Sequence, residues 1–219
     1  MISKSLRRAA TAAAIAIAAA AFAAPASAAT IFTDNFDRAD NNTVGSGWVE
    51  SGAAANDVAI LGNQLRLRSN QVTSPDAAVR QSGFSTIGLS NIMVALDWLA
   101  LGNNEIDDTL NIAWAIGDPG TFTPASWTIA GTAGGLNANG FTVGQSFALG
   151  AAAAGQAAIS IMLFSDVSAG AAGNNEGFLI DNFILTGDLI AIVPLPGAML
   201  LLLTGLAGVA AMGRGRKTA

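Results

Sequence analysis

The 219-residue sequence has no cysteine, no histidine and no tyrosine. Without cysteine no disulfide can staple the fold, even in an oxidising compartment. Without histidine or cysteine, Ser–His and Cys–His nucleophiles and His- or Cys-ligated metal centres are excluded. Acid–base chemistry is left to paired carboxylates of the glycosidase kind. Glu50, Glu105 and Glu176 are the only glutamates, and the last two sit in Asn-rich segments that read as solvated turns. Positive charge is scarce as well. Between Ala29 and Asp188 stand all 15 acidic residues against Arg38, Arg66, Arg68 and Arg80, a net of −11 where the whole chain carries −5. Such a stretch repels nucleic acid and anionic lipid, and suits a soluble exported domain or one that takes up cations.

What the chain does have is two apolar ends. Lys4, Arg7 and Arg8 precede an Ala/Ile run from Ala9 to Ala24, and Ala26-Ser27-Ala28 offers small residues for cleavage. This pattern predicts a secretory signal peptide over residues 1–28, cut after Ala28. At the other end, Leu189 to Met212 is 24 residues without a charge, followed by Arg214, Arg216 and Lys217. A spanning helix needs about 20 apolar residues, so this segment predicts a transmembrane helix with its basic tail held on the cytoplasmic side. Pro194 and Pro196 disturb the start of that helix, since each lacks an N–H and crowds the preceding turn. Residues 29–188 are left as one ectodomain, and 189–219 as a C-terminal targeting segment.

Val193-Pro194-Leu195-Pro196-Gly197-Ala198, the Leu-rich run with Gly205 and Gly208, and the Arg/Lys end resemble the PEP-CTERM class of bacterial sorting signals in its VPLP-type variant. Leu195 stands where the commonest motif of that class has Glu. The resemblance covers roughly residues 190 to 217. It implies a membrane-embedded exosortase as processing partner and transient anchoring in the inner membrane. The destination it implies is the outer surface or extracellular matrix of an exopolysaccharide-producing Gram-negative bacterium. It implies no chemistry for the ectodomain.

The ectodomain reads as all-β. Ile92, Val94, Leu96 and Trp98 alternate with more polar or smaller residues, as do Leu110, Ile112, Trp114 and Ile116. Ile159, Ile161 and Leu163 do the same, with Met162 and Phe164 on the opposite face. Period-two alternation is the signature of strands with one buried face. Asp57–Leu61 and Gln64–Ser69 predict a hairpin around Gly62-Asn63. Phe178 to Thr186 predicts a long closing strand, and Ala148 to Ala158 fits a short helix or a loop equally well. Nine to eleven strands punctuated by Gly/Asn/Pro turns predict a two-sheet β-sandwich of jelly-roll type.

Asp34-Asn35-Phe36-Asp37-Arg38, Gly45-Ser46-Gly47-Trp48 and Phe178-Leu179-Ile180-Asp181-Asn182-Phe183 resemble the first and last strand regions of concanavalin-like and carbohydrate-binding jelly rolls. In such modules a structural Ca²⁺ often ties the first strand region to an Asp of the last strand. The resemblance therefore implies Asp34 or Asp37, with Asp181, as Ca²⁺ ligands; caps and solvent-facing turns are the plain alternative. Asn103 to Asp108 could bind a cation at a loop, but it lacks the spacing of an EF-hand and reads better as a solvated turn. Trp127, after the Pro119–Pro124 loop, is the candidate platform for stacking on a glycan, with a core role as its alternative. Three roles compete: a non-catalytic structural or adhesive part associated with exopolysaccharide, a lectin-like carbohydrate-binding module, and a glycoside hydrolase.

Overall fold

The computed structural model describes residues 27–190, apart from 53, 55, 70–74, 102–103, 136–139 and 168–175. The sorting motif Val193, Pro194, Leu195 and Pro196, the tail residues Arg214, Arg216 and Lys217, and most of both predicted membrane-directed segments lie outside the described residues. Among the described residues no helix is long and apolar enough to cross a membrane.

Eleven strands follow one another: β1 (Ala28–Asp34), β2 (Val49–Gly52), β3 (Val58–Ile60), β4 (Leu65–Ser69), β5 (Ala77–Phe84), β6 (Leu89–Ala100), β7 (Thr109–Ile116), β8 (Thr128–Gly134), β9 (Thr142–Ala148), β10 (Ile159–Asp166) and β11 (Glu176–Leu189). They form two antiparallel sheets. The first runs β3-β4-β11-β6-β9, with β1 also paired to β11; the second runs β2-β5-β10-β7-β8. Only β3–β4 and β7–β8 follow one another within a sheet; every other connection between these strands crosses from one sheet to the other, which gives a two-sheet β-sandwich of the expected class. The strands alternate because their inner faces share one core. Ile92, Val94, Leu96 and Trp98 of β6 meet Leu110, Ile112 and Trp114 of β7 and Ile159, Ile161 and Leu163 of β10 there. Ile116 departs from the expected alternation: at the end of β7, one residue before the Gly117 turn, it is 59% exposed.

Two turns show local sequence setting register. The β3–β4 hairpin closes through reciprocal Leu61 and Gln64 backbone bonds of 2.9 and 3.2 Å, with Gly62 and Asn63 both at positive φ. That is the two-residue hairpin geometry that matches strand twist, and Asn tolerates it better than most residues. In β11 the pairing with β6 slips between Asp181 and Ile184, and Asn182 takes φ 49°. This bulge resets the alternation. Phe178 and Ile180 face the core before it, and Phe183 and Leu185 face the core after it. The bulge also divides the strand's other edge: residues 176–180 pair with β4, and 183–188 pair with β1. The segment 149–158 is a loop with one 3-10 turn, Ala151–Ala153. Buried Thr86 holds it through its hydroxyl, which donates to the Ala153 carbonyl at 2.7 Å and accepts from the Gln156 N–H at 2.9 Å.

Candidate functional site

Asp34 ends β1, is 7% exposed, and is committed to the protein's own donors. Its Oδ1 accepts the Phe36 N–H at 2.8 Å and Arg38 Nη1 at 3.1 Å. Its Oδ2 accepts Arg38 Nη2 at 2.8 Å and Trp48 Nε1 at 2.9 Å. Burial pushes its pKa upward. The Arg38 hydrogen bond, the Phe36 N–H, the Trp48 N–H and the Arg38 charge outweigh that, so the carboxyl lies below its ordinary value. The bond to Phe36 also supports a left-handed backbone there, φ 53°, which a bulky residue rarely adopts unaided. Phe36 is thereby turned into the core. Trp48 packs edge-on against Phe183 and tilted against Phe36, with ring centroids 5.6 and 6.0 Å apart.

A carboxylate that already holds a guanidinium with both oxygens has no lone pair directed at a second cation. Of the expected Ca²⁺ ligands, Asp34 or Asp37 with Asp181, Asp34 therefore does not suit the role. Asp34 instead locks the first turn of the chain to Trp48. Asp181 lies at the β11 bulge, where burial and then the charges of Asp97 and Asp37 raise its pKa, against the lowering bonds from the Asn182 N–H and Gln64. Asp97, its register partner on β6, is bonded by the Asn182 side-chain amide at 2.8 Å and by the Gly144 N–H. Asp37, Asp97 and Asp181 thus form a loose acidic group on the outer side of the first sheet, with amide donors among them.

Trp127 does not offer a platform. It is 7% exposed and belongs to a second apolar cluster with Ala78, Ala113, Met162 and Phe164. These are the residues whose neighbours along β5, β7 and β10 point into the main core, so the cluster covers the outer face of the second sheet. The loop Gly117–Ser126 folds back over it. Trp127 Nε1 donates to the Thr121 carbonyl at 3.0 Å, Phe122 packs against the cluster, and Arg80 lies 5.3 Å from the Phe122 ring centroid while pairing with Asp118. The alternation already signalled this cover by placing Met162 and Phe164 on the second face. Trp48, Trp98 and Trp114 are also buried.

Among the described residues, the carboxylates that converge closely enough to share an ion are Glu105, Asp107 and Asp108, each offering one oxygen within 4.8 Å of the others. The expected solvated turn holds only in part: Ile106 is 84% exposed and Asp107 is exposed, but their neighbours are not. Asp108 is fully buried, Asn104 is 3% exposed, and Glu176, expected in an exposed Asn-rich turn, is 3% exposed at the start of β11. Asp108 Oδ2 accepts the Glu105 N–H at 2.7 Å, so the turn closes on its own acidic side chain.

The chain is an antiparallel β-sandwich whose polar residues gather at its first turn, at the β11 bulge and at this acidic turn. No family model and no curated protein matches it. Among solved structures it is similar to the CBM22-1 xylan-binding domain of Xyn10C from Paenibacillus barcinonensis. The two are 11% identical over 77% of this chain and all of that one, with a TM-score of 0.42. Likeness at that level carries nothing about a ligand.

Proposed function

We propose that this chain is an exported protein that an exosortase processes at Val193-Pro194-Leu195-Pro196. Its sandwich then serves as a non-catalytic structural or adhesive part of the envelope or exopolysaccharide matrix of a Gram-negative bacterium. One observation carries this reading. The core of the described fold lies between the two terminal signals, drawing on Phe36 through Leu185, while β1 starts at Ala28, paired with Asp188, and β11 ends at Leu189, paired with Leu89. A cut after Ala28 and another near the prolines would leave that core whole. The absence of histidine and cysteine supports a non-catalytic role. So does the burial of Glu176. Glu176 and Asp181 are the carboxyls whose pKa values are raised, and Glu176, at 3% exposure, is out of reach of a glycosidic oxygen.

A lectin-like role is the second reading, favoured by the amide- and carboxylate-lined surface around Asp97, Asp181 and Asn182. Such groups hydrogen-bond sugar hydroxyls without an aromatic platform.

The test is the intact mass of the protein recovered from its own cells. Loss of residues up to Ala28 and of the C-terminal segment beyond the prolines is expected, with a Pro194→Ala/Pro196→Ala variant retaining its full C-terminus. Wild-type protein recovered with an intact C-terminus refutes exosortase processing. A glycan array and a reducing-sugar assay divide the remaining readings: silence in both supports the structural role, retention of a defined glycan the second, and released sugar a hydrolase.

A further inference from the structure

The two ends of the sandwich differ in chemistry. At one end lie the close of β5, β7 and β11 and the start of β6 and β10. Register sets this: Ile116 and Phe84 both pair with Ile159, and Leu189 pairs with Leu89. Loop bonds close this end over. The Thr86 N–H donates to the Gln156 carbonyl at 2.9 Å, the Gly117 N–H to the Ala158 carbonyl at 3.0 Å, and the Ile190 N–H to the Gly88 carbonyl at 3.0 Å. The segments so joined, 84–89, 116–117, 149–159 and 189–190, contain no charged residue. They hold four exposed large side chains: Ile87 at 68%, Ile116, Leu189 at 50% and Ile190 at 54%. Asp118 and Asp188 adjoin them, but Asp118 pairs with Arg80, and Asp188 Oδ2 accepts the Asn91 side-chain amide at 2.9 Å. At the other end, where Glu176 pairs with Ser69 and Asp166 with Thr109, stand Asp76, Glu105, Asp107, Asp108, Asp166 and Glu176. Ile106 is exposed there too, but between Glu105 and Asp107.

We propose that this charge-free end rests on a lipid bilayer while the chain is still anchored. The inference builds on the reading of Leu189–Met212 as a membrane anchor. A helix of about 20 residues counted back from Met212 starts near Val193. Leu189 closes β11 and Ile190 bonds to Gly88, so the chain from Ile190 to Val193 spans at most about 11 Å. The headgroup layer on one side of a bilayer is itself about 5–8 Å deep. The end of the sandwich that holds Leu189 therefore cannot stand clear of the headgroups. Lipid suits it, because Ile87, Ile116, Leu189 and Ile190 leave water there with no charge to desolvate. The opposite end does not suit it, since anionic headgroups repel its carboxylates. Contact thus orients the sandwich with its acidic end outward. Once the anchor is cut, these four side chains are no longer held at the surface and bind lipid only weakly, so the same cut frees the end.

The test uses the full chain, which has no cysteine of its own, in vesicles of phosphatidylcholine and phosphatidylglycerol. Ile87→Cys, Ile116→Cys and Ile106→Cys each carry a fluorophore at an exposed position where folding is safe. Lipids spin-labelled at the headgroup are the probe. Quenching at least about threefold stronger at 87 and 116 than at 106 is expected. Ile87→Glu in the Ile116→Cys chain lowers the quenching at 116 while the protein still floats with the vesicles. Protein that floats with the vesicles but is quenched no more at 87 and 116 than at 106 overturns the proposal and leaves the anchor standing. Protein that stays in solution overturns both. Fluorescence at 87 and 116 that follows the protein-to-lipid ratio and ignores the spin label overturns the proposal in favour of a second copy of this chain.

Discussion

Replacing Asp34 by alanine tests whether the first turn is a lock or a ligand. The substitution removes the acceptor for four donors: the Phe36 N–H, two Arg38 nitrogens and Trp48 Nε1. Trp48 is 6% exposed, so its N–H is left buried and unpaired, at about 1–3 kcal/mol. The Arg38 side chain keeps 26% of its surface in solvent, so losing its partner costs less than the roughly 3–5 kcal/mol of a fully buried pair. Together these give a loss of about 3–4 kcal/mol, or a fall in Tm of about 6–16 °C for a domain of this size. Urea denaturation followed by tryptophan fluorescence reads the loss directly, with an unchanged m-value if the unfolded state is unaffected. Asp34→Asn keeps one oxygen acceptor but turns an amide toward Arg38, so it falls between alanine and wild type.

The pH dependence gives a second handle on the same residue. The folded-state pKa of Asp34 is depressed, so its contribution is complete above the unfolded carboxylate pKa of about 3.9 and is lost as pH falls through the folded value. The gap between wild type and Asp34→Ala therefore narrows below about pH 4. A loss of under about 1 kcal/mol at pH 7, or a gap that stays constant into acid, refutes the lock.

Two further substitutions probe the packing. Trp127→Ala empties the cluster over the outer face of the second sheet and lowers stability by about 3 kcal/mol in denaturant titration, while retention on polysaccharide stays at the wild-type level. Selective loss of retention with stability intact would return Trp127 to the surface. Gly177→Ala would set a Cβ 2.1 Å from the Leu67 carbonyl oxygen at a residue with φ 139°, so β11 must move off β4. A loss of more than about 2 kcal/mol, measured by thermal melt, is expected from the clash and the backbone strain together.

The sheets were legible in the sequence because each strand has one face against a single shared core. Ile92 to Trp98, Leu110 to Trp114 and Ile159 to Leu163 carry that alternation openly, and Gly62-Asn63 announces its own turn. The polar sites were less legible because a carboxylate's role depends on what reaches it through space. Asp34, Phe36, Arg38 and Trp48 formed a visible motif, but only the folded positions show Arg38 and Trp48 converging on Asp34. Glu176 follows Gly173-Asn174-Asn175 and so resembles a solvated residue. Its burial goes with a bond from the Gly177 N–H to Asn104 that no local pattern encodes. Trp127 was ambiguous for the same reason: its sequence neighbours belong to a loop, and its spatial neighbours to three strands.

The position of β11 has a mechanical consequence. This strand leads toward the proposed membrane anchor, and it lies in the middle of its sheet, bonded along one edge to β6 and along the other to β4 and β1. A pull on the C-terminal end acts along the strand axis, so the bonds to three neighbours bear the load in shear and must yield together. A pull between the two chain ends acts differently. Ala29 and Gly187, the first pair kept after a cut at Ala28, are partners across β1 and β11, so that force peels β1 from β11 one bond at a time. The same fold is thus stiff toward an anchor at its C-terminus and weak toward traction between its own ends, which suits a part held by one end and loaded through its body.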